Sequence, residues 1–297
     1  MKITILGTNG FLSNAVGSYF SKQGYELRTY GLNSPKEYSA YSFTRIDFSR
    51  EELNYIEIVD SDIIIYTVGA GIQSNLQEGD DVIYNLNVNC PVRICNFLRK
   101  FGYKGYFLTF GSYFEMGKTD LANPFTEEEI LYSNSEAIND YTVSKRMLSR
   151  FISCYKSTFK CWHFFLPTIY GIGENPKRLI PYTINSIRNG DSLHFTEGNQ
   201  IREYVHVSEI PPIIEQAYLK NLPSGLYNVP GKDLLSVREI VNIIHHYYNK
   251  DLPNSCFGKT SRADSGMNYL ALNGSKLESF IGRIEYKISI TEALSTY

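Results

Sequence analysis

Residues 2–20 read KITILGTNGFLSNAVGSYF. Strand-like Lys2–Leu6 runs into two glycines, Gly7 and Gly10, and the chain then passes into a helix-forming stretch, Leu12–Gln23. Strand, glycine turn and helix in that order open a βαβ unit. In such a turn the missing Cβ lets backbone amides of residues such as Asn9, Phe11 and Leu12 approach a pyrophosphate, and the helix N-terminus adds positive potential. The spacing here is GxxGxxS, ending at Ser13, so the simple GxGxxG fingerprint is not met. The turn alone leaves two readings open, nucleotide binding and a purely steric use of glycine.

Working outward, short apolar runs alternate with amphipathic ones. Glu26–Tyr30, Asp62–Thr67, Gly105–Phe110 and Trp162–Leu166 read as strands, and Glu51–Val59, Val82–Phe101 and Asn139–Tyr155 as helices. That alternation predicts an α/β chain with a parallel sheet. After Pro167 proline and glycine become more frequent and the elements shorter: a helix at Leu179–Asn189, a strand at Tyr204–Val207 and a helix at Val237–Tyr248. No repeat or low-complexity linker separates the halves, so residues 1–166 are expected to form a dinucleotide-binding domain. Residues 167–297 would form a mainly substrate-binding domain, some of whose elements return to the first, with the ligand in the cleft between.

The 29 basic and 31 acidic residues of this 297-residue chain nearly balance, so nothing calls for nucleic acid or an anionic membrane. The most apolar stretch, Ile63–Ala70, is too short to span a bilayer. The N-terminus has no basic region or cleavage site of a secretory leader, and the expected location is cytoplasmic. Five cysteines form no CxxC pair, which suits reduced thiols, and no metal site is expected.

Tyr141 is the only tyrosine followed four residues later by a lysine, Lys145, and Ser112 lies 29 residues before it. On a helix, residues four apart share a face. An ammonium there favours phenolate, bringing a group of pKa ~10 closer to working range. Ser112, at a strand end, would hydrogen-bond a carbonyl oxygen and polarise it. A Tyr/Lys pair in a Tyr-rich chain also arises by chance, but this pair sits on the helix after the strand that carries Ser112. Together the trio suits hydride transfer to or from a carbonyl beside a dinucleotide. A NAD site usually ends its second strand with an acid. Here Arg28-Thr29-Tyr30-Gly31-Leu32-Asn33 has none, which favours NADP, with NAD possible.

With these residues in place, the chain resembles an extended short-chain dehydrogenase/reductase of the NAD-dependent epimerase/dehydratase (nucleotide-sugar) family along nearly its whole length. That resemblance implies a Rossmann-type doubly wound parallel sheet with a smaller α/β C-terminal substrate domain, and a homodimer built on the helices Val82–Phe101 and Asn139–Tyr155. GTNGFLS resembles the family's glycine motif, with Ser13 replacing the third glycine. Asp47 in RIDF resembles an adenine-contacting aspartate, TVGAG (Thr67 and Gly69 within it) the loop over the adenosine, and Asn87 in NLNVN a structural asparagine. Ser112, Tyr141 and Lys145 fall at the catalytic positions, Lys145 also holding the nicotinamide ribose. LPTIYGIGE, with Pro167 and Ile169, resembles the segment beside the nicotinamide. In the second half Leu179 and Phe195 would lie along the nucleotide, Phe195 against the base, while Arg202 and Arg262 would clamp the diphosphate.

The resemblance also narrows the reaction. The family's 4,6-dehydratases carry an Asp-Glu pair after the Ser/Thr, where this chain has Tyr113 and Phe114. The GDP-fucose-synthase type uses a Cys beside the serine and a later His; here no Cys is near Ser112, and Arg178 stands at the His position. The expectation is therefore NADPH-dependent reduction of a nucleotide-4-keto-6-deoxysugar for a bacterial surface polysaccharide. A 4-epimerase is the alternative, and a sensor that binds NAD(P) without turnover a further one.

Overall fold

The computed structural model describes residues 1–72, 77–261, 264 and 266–297. Among them, seven strands form one parallel sheet: β1 (Lys2–Leu6), β2 (Glu26–Gly31), β3 (Ser42–Arg45), β4 (Ile63–Tyr66), β5 (Tyr106–Ser112), β6 (Lys160–Leu166) and, from the second half of the chain, β9 (Gly225–Asn228). Their order is β3-β2-β1-β4-β5-β6-β9, so the winding reverses between β1 and β4. Ligands of such sheets bind outside the carboxyl ends of the strands at that reversal.

Side-chain alternation builds a core on each face. Ile63 and Ile65 of β4 join Ile3, Ile5, Leu108, Trp162 and Phe164 on one side, under helix α1 (Phe11–Lys22) and Ile210, Ile213 and Ile214 of a later helix. Ile64 and Tyr66 face the other way, toward Phe107, Ile94, Leu98, Leu148 and Ile152. All four residues of β4 are buried, as a central parallel strand requires.

A second, four-stranded sheet lies beyond the carboxyl ends. In it β8 (Ile201–His206) pairs parallel with β7 (Thr168–Tyr170) and β11 (Tyr269–Leu270) and antiparallel with β10 (Asp233–Ser236). The helix Leu179–Asn189 packs with Val237–Tyr247 against it through Ile180, Ile184, Tyr204, Ile240 and Ile244.

Three of the differences from the sequence reading fall within the first 101 residues. The predicted helix Glu51–Val59 is only a 3₁₀ turn, Tyr55–Ile58. Upstream, Asp47 accepts from Ser49 N–H (3.0 Å) and its own N–H donates to Glu51 Oε2 (2.5 Å). Local side-chain bonds of this kind compete with helix formation. The edge strand Ser42–Arg45 carries too short and exposed a pattern to be read. The long helix is Asp80–Tyr84 continued by Cys90–Phe101, with a π-helical turn, Asn85–Asn89, between them. Such turns concentrate at functional sites.

Candidate active site

Ser112 is the last residue of β5 and caps the 3₁₀ turn Tyr113–Met116, its Oγ accepting from Phe114 N–H at 3.2 Å. Helix α5 (Asp140–Cys154; numbered in chain order after Asp80–Tyr84, Cys90–Phe101 and Glu127–Leu131) starts at an Asn139 cap whose Oδ1 accepts from Thr142 N–H at 2.9 Å. Its first two turns deliver Tyr141 and Lys145, both buried, to the carboxyl end of β5. Lys145 Nζ donates to Phe110 O at 2.9 Å and stands 5.7 Å from the centre of the Tyr141 ring. The three candidate residues come together, since Ser112 lies close enough to the Tyr141 phenol to pull its pKa down.

The electrostatics differ from the expectation that Lys145 would draw the phenol toward phenolate. Burial and the nearby Glu115 carboxylate push the Tyr141 pKa above its ordinary value, against the opposing pull of Ser112 and the Arg178 charge. Burial lowers Lys145 to about 8, with Glu115 opposing the fall. The phenol is held as the protonated acid, the form that donates.

Glu115 was not anticipated. It lies beneath Ser112, 1% exposed, accepting Ser112 N–H at 2.8 Å and Ser149 Oγ–H at 2.5 Å. Ser149 Oγ lies 2.9 Å from His163 Nε2, and His163 Nδ1 lies 2.7 Å from Thr109 Oγ1. Burial raises Glu115 to about 7 and lowers His163 to about 3. The S-x-x-E spacing of Ser112 and Glu115, a capping-box pattern, was the available signal.

On the dinucleotide side, Gly7 has φ +110°, and a Cβ there would stand 2.6 Å from Thr67 Oγ1 and 3.2 Å from Val68 N. The crevice between the first turn and the loop after β4 is therefore open because residue 7 is glycine. Gly10 is the side-chain-free N-cap of α1, with Phe11 and Leu12 as its first residues. Ser13 explains the missing third glycine: its Oγ accepts Gly10 N–H and donates to Gly10 O, both at 2.9 Å, closing the turn. Asn9, at φ 59°, directs its side chain to Asn33 O, Ser34 O and Lys36 N, so it fastens the loop after β2.

Thr67 Oγ1 donates back to Leu6 O at 2.9 Å. Asn87, 1% exposed, exchanges two hydrogen bonds with Ala70 and donates to Ser144 Oγ at 2.9 Å. A Cβ on Gly69 would lie 3.3 Å from Asn87 Oδ1 and 4.0 Å from Lys145 Nζ, so this loop runs directly beside the trio. Asp47 is engaged with its own turn through Ser49. Pro167 is buried between β6 and β7, and Ile169 packs on the core beside Val205. With the crevice left open at Gly7 and the turn at Gly10 closed by Ser13, the residues present here fit a nicotinamide dinucleotide.

On the other side, Tyr113 is buried with its OH 2.5 Å from Thr168 Oγ1 and its ring edge-on to Phe114. Arg178, N-cap of the helix Leu179–Asn189, lies 3.4 Å from Glu174 Oε2 and lines a small cavity with Thr168, Tyr170 and Tyr204. A larger cavity of about 640 Å³ continues from it, lined by Leu179, Tyr182, Phe195, Gln200 and Arg202. Phe195 is held between Tyr182 and Phe257. Arg202, 4% exposed, is ion-paired to Asp264 and donates to Met267 O at 2.6 Å. Arg262 lies outside the described residues.

No helix among the described residues is long and apolar enough to cross a membrane. No curated protein matches the sequence. Several solved structures share the fold. MoeE5 in complex with UDP-glucuronic acid and NAD superposes with a TM-score of 0.82 at 16% identity, covering 100% of this chain and 97% of that one. DesIV, a dTDP-glucose 4,6-dehydratase from Streptomyces venezuelae with NAD bound, gives 0.81 at 18% identity, covering 100% and 95%. A UDP-glucose 4-epimerase from Thermotoga maritima gives 0.82 at 17% identity, covering 99% and 96%. Residues 3–229 match the model of the NAD dependent epimerase/dehydratase family, and the chain belongs to that family.

Proposed function

We propose that this chain is a nucleotide-sugar 4-ketoreductase, using NADPH to reduce a nucleotide-4-keto-6-deoxysugar. The observation that carries this reading is what surrounds the trio. Next to Ser112, Tyr141 and Lys145 stand Tyr113, bonded to Thr168, and the apolar Phe114, while the nearest carboxylate, Glu115, is turned inward to Ser149. The trio thus offers groups for hydride and phenolic-proton chemistry, and the two positions after Ser112 carry no acid for eliminating water across C5 and C6. The folds it resembles hold NAD with UDP- or dTDP-linked ligands, which supports a nucleotide sugar in the 640 Å³ cavity.

The chemistry a bound nicotinamide dinucleotide supplies is hydride transfer. Ser112 orients and polarises the C4 carbonyl oxygen, and Tyr141, held protonated by burial, donates its phenolic proton to that oxygen. Lys145 fixes the ribose. Leu179 and Phe195 bury the base, Arg202 binds the diphosphate and Arg178 faces the sugar. The carboxylate-free end of β2, where the first charged residue onward is Lys36, favours an exchangeable NADPH over a retained NAD.

The test is incubation with NADPH and dTDP-, GDP- or CDP-4-keto-6-deoxysugars, following the reduced-nicotinamide absorbance. Consumption of NADPH with a 4-hydroxy product is expected. Interconversion of UDP-hexoses at C4 with no net NADPH loss would instead establish the 4-epimerase, which uses the same three residues. Cofactor binding with neither reaction would establish a sensor.

A further inference from the structure

We propose that Glu115 is a positioning residue, the buried counter-charge that keeps Lys145 an ammonium and ties that charge to the setting of Ser112. The inference rests on the proposed roles of those two residues. Glu115 sits where β5, its 3₁₀ turn, helix α5 and β6 meet, with one carboxylate oxygen on Ser112 N–H (2.8 Å) and the other on Ser149 Oγ (2.5 Å). The room for it is built: a Cβ on Gly111 would stand 2.7 Å from Glu115 Oε1 and 2.4 Å from His163 Nε2. Glycine beside Ser112 therefore serves the carboxylate and imidazole beneath it.

Lys145 Nζ ends on Phe110 O (2.9 Å) and the carboxylate on Ser112 N–H (2.8 Å), two residues apart on the same strand. The other charged and titratable groups around the carboxylate are Arg146 and Tyr141 from α5 and His163 from β6. Arg146 is committed elsewhere, donating to Glu115 O (2.6 Å), Met116 O (3.0 Å) and Ser135 O (2.8 Å), which fixes the turn. His163 is neutral, its pKa driven down by burial and by Lys145. Lys145 is thus the cation whose state the carboxylate governs. A lone ammonium this buried would shed its proton, and a carboxylate facing it opposes that loss.

The chain Glu115–Ser149–His163–Thr109 fixes one arrangement. Ser149 has a single hydroxyl proton, and when the carboxylate takes it, His163 must carry its proton on Nε2 and accept from Thr109 at Nδ1. Every member then has a partner, as a buried polar network requires.

The test is the titration of Lys145 Nζ by ¹⁵N NMR in the chain alone, assigned with Lys145→Met, in wild type, Glu115→Gln and Ser149→Ala. Glutamine can still accept Ser112 N–H, so the turn is retained while the charge is lost. The Lys145 midpoint is expected to fall by about one pH unit or more in Glu115→Gln. Ser149→Ala, which weakens the ionised carboxylate, should give a smaller shift in the same direction. An unchanged midpoint in Glu115→Gln would overturn the proposal, and if that variant does not fold, an unchanged midpoint in Ser149→Ala would do so. No substrate enters this measurement. A shifted midpoint in a chain that reduces no 4-keto sugar would refute the proposed function alone, and NADPH-consuming turnover with an unshifted midpoint would refute this inference alone.

Discussion

Asn87 and Ala70 clasp each other: Ala70 N–H donates to Asn87 Oδ1 at 3.0 Å while Asn87 Nδ2 donates to Ala70 O at 2.9 Å. The same amide reaches Ser144 on α5, whose Oγ donates to Tyr141 O at 2.8 Å. One side chain therefore joins the loop after β4 to the helix bearing the candidate acid. Replacing Asn87 by Ala strands buried backbone groups, at about 1–3 kcal/mol each. Urea denaturation should register a loss of about 2–4 kcal/mol, and dinucleotide affinity should fall with it.

Gly7→Ala should damage the same region from the other side. The new methyl would meet Thr67 Oγ1 at 2.6 Å in a backbone of φ +110°. A stability loss of about 1–3 kcal/mol is expected, together with at least a ten-fold loss of dinucleotide affinity by fluorescence titration.

Tyr141→Phe removes the acid and little else. Turnover should drop by about 10²–10⁴-fold or more while dinucleotide affinity stays within about two-fold. Retained activity would show that another group supplies the proton.

Arg202→Lys keeps the charge but loses the fork that holds Asp264 and the Met267 carbonyl. Calorimetric titration with UDP or dTDP should show affinity weakened by about ten-fold or more, with kcat changed far less than KM.

The buried pair of titrating groups predicts opposite stability slopes. His163 is depressed to about 3 from an ordinary value near 6.5. The unfolded chain takes that proton first, so this contribution is full above pH 6.5 and is lost as pH falls toward 3. Glu115 is raised to about 7, so its contribution is full below pH 4.5 and is lost as pH rises through 7. In urea melts, His163→Gln should flatten the acid-side slope, and Glu115→Gln should flatten the opposing slope between pH 4.5 and 7.

What was legible in the sequence was whatever rests on local pattern. Lys2–Leu6 and Leu179–Asn189 were readable to the residue because apolar period and flanking glycines agree there. The trio was legible because residue spacing on a helix is a local fact, as with Tyr141 and Lys145. The Glu51–Val59 misreading arose where Asp47, Ser49 and Glu51 bond to each other and to the backbone, which apolar spacing does not report. Glu115 escaped because its partners, Ser149 and His163, come from α5 and β6, and only the closed sheet brings them within reach. The lowered Lys145 and raised Tyr141 had the same origin, since both depend on burial and on that unseen carboxylate.

The seventh strand, Gly225–Asn228, lies against β6, and its Asn228 side chain donates to Phe125 O and Asn273 O. During synthesis, residues 1–166 leave the ribosome well before this strand, so β6 waits with an unpaired edge until residues 225–228 arrive. Domains generally mature from the N-terminus as they emerge. This chain cannot finish its first sheet that way: the halves are stitched, and a nascent or truncated N-terminal half presents an open strand edge prone to mispairing.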